Sequence, residues 1–359
     1  MRYLPGVIIP LLWLLGCSDA VPPSDTDQKP TPPTTIVKTP TPPVADTAKI
    51  YGPLPKPLFG YGAFGRYDVE VEKIPNPRFP ADRHVTTDIY YPADLNRSVP
   101  VLFFAPGWGG DYAGGYDVLL RYIASRGYVA IFAAHNIDSY STEDLFEAFG
   151  DAVDKKQTLI DTSRVGYIGH SYGGGAIAHL LQRFYDEKGW GENSAFLYMT
   201  APWIMFDMQE SDLDRYPSHV RLLIAEYEED LSTDLRIPIS FFNRVAIPAS
   251  HKRYLTVRSH TVDGYRYRAD HGTPITAGEA LNALDYDAVF RPLGMLMAAT
   301  FEGDTNASEM LFGNRESLES ETKLSPLLLE TSPSVAYPPS RYSYKCDDPR
   351  NPLRQLCEE

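Results

Sequence analysis

Arg164-Val165-Gly166-Tyr167-Ile168-Gly169-His170-Ser171-Tyr172-Gly173-Gly174-Gly175-Ala176-Ile177-Ala178 is the stretch that decides how this chain is read. Val165, Tyr167 and Ile168 form a short apolar run suited to a buried strand, and Ala176, Ile177, Leu180 and Leu181 give the apolar face of a helix. Between them lies room for one sharp turn with Ser171 at its tip. Strand and helix can meet that tightly only if the positions two before and two after the serine are nearly free of side chains, and both are glycine, Gly169 and Gly173. A glycine-rich turn holding a serine by accident spells the same five letters. The flanking strand and helix favour the other reading, a serine presented as a nucleophile.

Working outward, helix and strand alternate. Residues 67–74, YDVEVEKI, and 85–91, VTTDIYY, are β-branched and aromatic and are broken by prolines at 75–80 and 92, which predicts two opening strands paired as a hairpin. Residues 99–105, VPVLFFA, are a continuous apolar run of the sort buried on both faces of a parallel sheet. Leu119, Leu120 and Ile123 have helical spacing, Gly127 closes that helix, and residues 128–134 read as another buried strand. A helix is expected over 143–160 and another from the turn to about 186. Strands are expected at 195–200, 220–226 and 253–259, the last extending through Tyr267. This rhythm predicts an α/β fold with a mostly parallel central sheet and helices on both faces, its ligand at the carboxyl ends of the strands. No internal repeat is visible.

The 359 residues, 43% hydrophobic and 22% charged, suffice for one large core. A net charge of -14 speaks against nucleic acid as a partner. The chain opens MRYLPGVIIPLLWLLGCSDA, whose apolar stretch from Val7 to Leu15 is too short to span a bilayer and reads as an export signal. Leu14-Leu15-Gly16-Cys17 looks like a bacterial lipobox, which implies a signal over residues 1–16 and a lipid on Cys17; an ordinary signal peptide is the alternative. Ser18 after the cysteine resembles lipoproteins sent to the outer membrane, with the catalytic domain in the periplasm or outside. Residues 17–57 are rich in Pro and Thr and are expected to form an extended linker ahead of a catalytic domain over 58–359. With Cys17 lipidated, Cys346 and Cys357 remain as an even pair in an exported protein, read as a disulfide closing the C-terminal tail. No histidine lies near them, which speaks against a metal site.

A serine hydroxyl needs a base to take its proton and a carboxylate to orient that base. If serine, acid and histidine follow one another in that chain order, the base lies after Ser171; of the histidines there, His179 lies on the next helix and His219 and His251 precede strands, which leaves His260 and His271. His271 is favoured because Ala269-Asp270-His271-Gly272-Thr273-Pro274 is a turn-forming loop past a strand end, able to reach the serine. The acid is sought after the strand at 220–226, among Glu226, Glu228, Glu229, Asp230 and Asp234. Asp230 stands where the apolar strand has ended and is preferred, with Glu228 next. Two backbone donors for an oxyanion are expected at Tyr172, just after the serine, and at Trp108 in Pro106-Gly107-Trp108-Gly109-Gly110 after the third strand. Trp203, Ile204, Met205, Phe206 and Met208, within 201–218, are either an acyl pocket or core under a loop.

Through APGWGG, RVGYIGHSYGGG and ADHGTP the chain resembles the α/β-hydrolase superfamily over about residues 67–300, and among its branches the esterase, dienelactone-hydrolase-like and polyester-hydrolase-like enzymes. The segment ALDYDAVFRPLGMLMAATFEG, residues 283–303, looks like their terminal helix region. The resemblance implies Ser171 as nucleophile, His271 as base, a carboxylate near Asp230, and main-chain donors at Trp108 and Tyr172. Dienelactone hydrolases proper use cysteine where this chain has Ser171, so a carboxylic ester, small or polymeric, is the expected substrate. A peptidase or amidase with the same residues, or a surface binding module, are the alternatives. No metal or organic cofactor is implied.

Overall fold

The computed structural model describes residues 46–136, 141–277, 281–313 and 323–334. Cys17, Cys346 and Cys357, with the expected signal, lipidation site, disulfide and most of the linker, lie outside the described residues.

The opening hairpin forms as expected: β1 (Val69–Pro75) pairs antiparallel with β2 (Thr86–Pro92). The central elements follow as β3 (Val99–Ala105), α1 (Asp117–Ser125), β4 (Val129–Ala133), α2 (Glu143–Lys155), β5 (Ile160–His170), α3 (Tyr172–Lys188), β6 (Ser194–Thr200), β7 (Arg221–Tyr227), α4 (Arg236–Arg244) and β8 (Lys252–Val257). A small hairpin, β9 (His260–Val262) with β10 (Tyr265–Tyr267), stands apart, and β11 (Leu327–Glu330) closes the far edge. The nine-stranded sheet has the order β1-β2-β4-β3-β5-β6-β7-β8-β11. From β4 to β8 every neighbouring pair is parallel, and only the outer strands β1, β2 and β11 pair antiparallel.

The central strands are apolar throughout because both faces are covered. Along β3, Val101, Phe103 and Ala105 enter one core with α2, α3 and α4, while Leu102 and Phe104 enter the other with α1 and the helical run at 283–302. Within that run, π-helical turns at Tyr286–Phe290 and Ala298–Glu302 flank its middle, Arg291–Met297. Phe103 of β3, Phe184 near the C-terminal end of α3 and Trp190 just beyond it stack within 4.3–5.9 Å. Among the described residues no helix is long and apolar enough to cross a membrane.

Two sequence-based boundaries were too generous. The helix expected over 143–160 ends at Lys155, and Ile160 already begins β5, pairing with Val99. The strand expected to run through Tyr267 stops at Val257, and beyond it Asp263 and Gly264, both at positive φ (51° and 81°), make the turn of the separate β9–β10 hairpin.

Candidate active site

Ser171 sits where β5 passes into α3, with φ 54° and ψ -112°, a backbone conformation costing about 1–3 kcal/mol for a residue with a side chain. The surroundings enforce it. The Ser171 amide donates to the Thr200 carbonyl (3.0 Å), and its carbonyl accepts from the amides of Trp203 (2.8 Å) and Gly175 (3.1 Å). A Cβ on Gly169 would overlap the Gly173 backbone, and one on Gly173 would overlap the Ala105 carbonyl. Both glycines therefore answer a demand for space, as the five-letter pattern implied.

His271 lies in a turn after β10, which Thr273 N–H closes on the Asp270 carbonyl and Gly272 N–H on the Asp270 carboxylate, both at 3.0 Å. Its Nε2 is 3.0 Å from Ser171 Oγ and its Nδ1 is 2.8 Å from Asp230 Oδ2. Asp230 follows β7 and is buried; it also accepts from the Ser232 amide (2.7 Å) and the Thr233 hydroxyl (2.9 Å). Burial pushes its carboxyl pKa up, but the hydrogen bond and charge of His271 and these two donors outweigh burial and hold it below the usual carboxylate range. A carboxylate only accepts, so Nδ1 carries the hydrogen and Nε2 presents a lone pair to the serine.

The other acidic candidates are engaged elsewhere. Glu228 accepts from the Ser259 amide, Glu229 pairs with Arg266 and Arg268, and Asp234 pairs with Arg236. Glu226 is buried with neither oxygen hydrogen-bonded, and burial, reinforced by Asp230 and Asp234, raises its pKa well above the usual carboxylate range. His260, the other candidate base, begins β9 and pairs with Tyr267.

The loop after β3 lies against the serine: a Cβ on Gly107 would stand 3.5 Å from that of Ser171. The Gly107 carbonyl accepts from the Gly110 amide (3.0 Å) and from His135 Nε2 (3.3 Å). Because the carbonyl of Gly107 and the amide of Trp108 belong to one planar peptide, fixing the first aims the second. Tyr172 begins α3, where a backbone N–H has no intrahelical partner. Its side chain is buried, bonding the Ser141 carbonyl and stacking on His135 at 3.8 Å, so Tyr172 offers the site only its main chain.

The apolar segment after β6 divides. Phe206 is core, and Trp203, Ile204, Met205 and Met208 are half-buried against the same core, which answers for core under a loop. Trp203 also meets Trp108 edge to face at 6.1 Å beside the serine. Trp108 is 36% exposed, and Tyr112 and Leu231 stand out further on the loops that carry Trp108 and Asp230.

His170 was not singled out from the sequence. Its Nε2 donates to the His271 carbonyl (2.8 Å), and its Nδ1 accepts from the Tyr116 hydroxyl (2.8 Å), which in turn accepts from the Gly107 amide (3.1 Å). One ring thus ties together the turn, the His271 loop and the Gly107 loop. Burial, with the neighbouring His271, lowers its pKa to about 3, so it is neutral at ordinary pH. Among the described residues no group of three His, Cys, Asp or Glu could hold a metal ion.

The crossover sheet, with a serine on a strained turn past the carboxyl end of its fifth strand, defines an α/β-hydrolase fold. No family model matches the chain. It is similar to Cutinase 2 of Thermobifida cellulosilytica, 31% identical over 149 residues, which cover 38% of this chain and 54% of that protein. Cutinase cut1 of Thermobifida fusca is 31% identical over 149 residues, 38% of this chain and 44% of its own length. Cutinase est2 of Thermobifida alba is 27% identical over 245 residues, 63% of this chain and 71% of its own. The chain thus spans about half the length of the first of these relatives.

Proposed function

We propose that the protein is a serine hydrolase that cleaves carboxylic esters. The observation that carries the reading is the continuous path Ser171 Oγ, His271 Nε2, His271 Nδ1, Asp230 Oδ2, with links of 3.0 and 2.8 Å. In this reading Ser171 Oγ attacks the ester carbonyl carbon while Nε2 takes its proton, and Asp230 balances the imidazolium formed. The amides of Trp108 and Tyr172 receive the negative charge on the former carbonyl oxygen. Collapse breaks the bond to the alcohol oxygen, which leaves with the proton from Nε2. Water, deprotonated by the same nitrogen, then attacks the acyl carbon; the bond to Ser171 Oγ breaks, Oγ takes the proton back from Nε2, and the acid is released.

The similarity to proteins named cutinases supports an ester, and those names, with exposed Trp108, Tyr112 and Leu231 on the loops that carry Trp108 and Asp230, support a long or polymeric one. Steady-state hydrolysis of a p-nitrophenyl ester, the matching anilide and an aliphatic polyester film tests the proposal. Turnover of ester and film with little on the anilide is expected. Preferred anilide cleavage would make the protein an amidase, and no turnover at all would leave a binding module.

A further inference from the structure

The edge of the sheet opposite Ser171 carries a concave feature. β3, β4 and β5 run parallel, so their starts share one edge and the serine follows the other. At the starts lies a cleft of about 520 Å³ whose charged lining is Arg66, Arg97, Arg126, Arg164 and Glu302, with Tyr67 between the first two. Four guanidinium groups and one carboxylate line it, and with Arg164 paired to Asp161 beside the cleft three cations still face one lining carboxylate, a local reversal in a chain of net charge -14. The arginines come from separate segments: Arg66 precedes β1, Arg97 joins β2 to β3, Arg126 caps α1 and Arg164 lies in β5. Folding, rather than a run of like charge, brings them together.

Their existing bonds leave donors to spare. Arg66 Nη2 donates to the Tyr67 hydroxyl at 3.0 Å, and the charge of Arg97 also acts on that hydroxyl. Arg126 Nη1 reaches the carbonyls of Ala63 (3.0 Å) and Gly60 (3.2 Å), and Arg164 Nε pairs with Asp161 at 2.7 Å. The Glu302 carboxylate accepts from the Tyr128 hydroxyl. Each guanidinium carries five N–H donors in a planar fork, which matches the paired oxygens of a tetrahedral oxyanion.

We propose that this cleft binds a phosphate or sulfate oxyanion, held by Arg66, Arg97, Arg126 and Arg164 and by the Tyr67 hydroxyl. The phosphate is either a free ion or the phosphodiester of a lipid headgroup. The site is independent of Ser171 and of the esterase reading.

Calorimetric titration of the full chain at low ionic strength, with inorganic phosphate and with glycerophosphoglycerol, tests it. Saturable binding of one or both is expected, weakened at least about tenfold in R66Q/R97Q. Tighter phosphate identifies the free ion as ligand, and tighter phosphodiester identifies a headgroup. Arg83→Gln, at an exposed arginine outside the cleft, leaves affinity unchanged. Arg66 and Arg97 are exposed, so the double variant keeps the wild-type melting temperature; if it does not, Arg97→Gln alone serves as the second variant. No saturable binding by the wild type, or an equal loss in Arg83→Gln, overturns the proposal.

Discussion

The Nε2–H of His170 donates to the backbone carbonyl of His271 at 2.8 Å, so the residue before the proposed nucleophile holds the loop of the proposed base. The same ring reaches the Gly107 loop through Tyr116. His170→Phe removes both bonds while filling the space. For a p-nitrophenyl ester kcat is expected to fall by about ten- to a hundredfold, the scale of a catalytic group displaced by about 1 Å, with KM little changed. His170→Gln, which can both donate and accept, recovers part of the loss. Equal kcat in all three proteins would show that the bridge does not position His271.

The buried imidazole also carries a pH signature. In the unfolded chain His170 takes up a proton below about 6.5, whereas in the folded protein it does so only near 3. Between these values the unfolded state binds the extra proton, so acid favours unfolding. Denaturant unfolding at pH 6.5 and 5 is therefore expected to show a stability loss that is smaller in His170→Gln than in the wild type, by up to about 2 kcal/mol.

Asp230 is set apart from its neighbours by its partners. Asp230→Asn offers His271 Nδ1 a donor in place of an acceptor, moving the ring hydrogen to the nitrogen that must stay bare. A fall in kcat of about 10⁴ is expected, as for the equivalent change in other enzymes with such a relay. Glu229→Gln, whose salt-bridge partners Arg266 and Arg268 are exposed, leaves kcat within about twofold. Comparable losses in the two variants would reassign the acid.

Gly173→Ala drives a methyl group into the backbone where β3 ends. A destabilisation of about 3 kcal/mol or more is expected from denaturant unfolding. Gly150→Ala, a glycine in α2 with nothing within 4 Å of the added methyl group, instead stabilises by up to about 1 kcal/mol.

What could be read from the sequence was local in origin. The turn at Ser171 was readable because its steric demand falls on two glycines at fixed offsets, and β3 to β8 because strands covered on both faces are apolar without alternation. The end of α2 was obscured because Lys156 to Leu159 are compatible with a helix, while Ile160 leaves it to pair with Val99. The β9–β10 hairpin carries a sequence signal, Asp263-Gly264 between aromatic and β-branched residues, outweighed by the apolar strand pattern that precedes it. His170 had none, since its partners Tyr116 and His271 lie 54 and 101 residues away and only the folded sheet brings them to one ring. The same holds for the arginine cleft and for β11, which pairs with β8 from far along the chain.

The central claim is that Ser171 is a nucleophile activated by His271. Reaction with a fluorophosphonate, followed by peptide mass mapping, tests it most directly. The account predicts one adduct per chain, on Ser171, forming at least about a hundredfold more slowly in His271→Gln. An adduct on another residue, or equal labelling of Ser171→Ala, would contradict it.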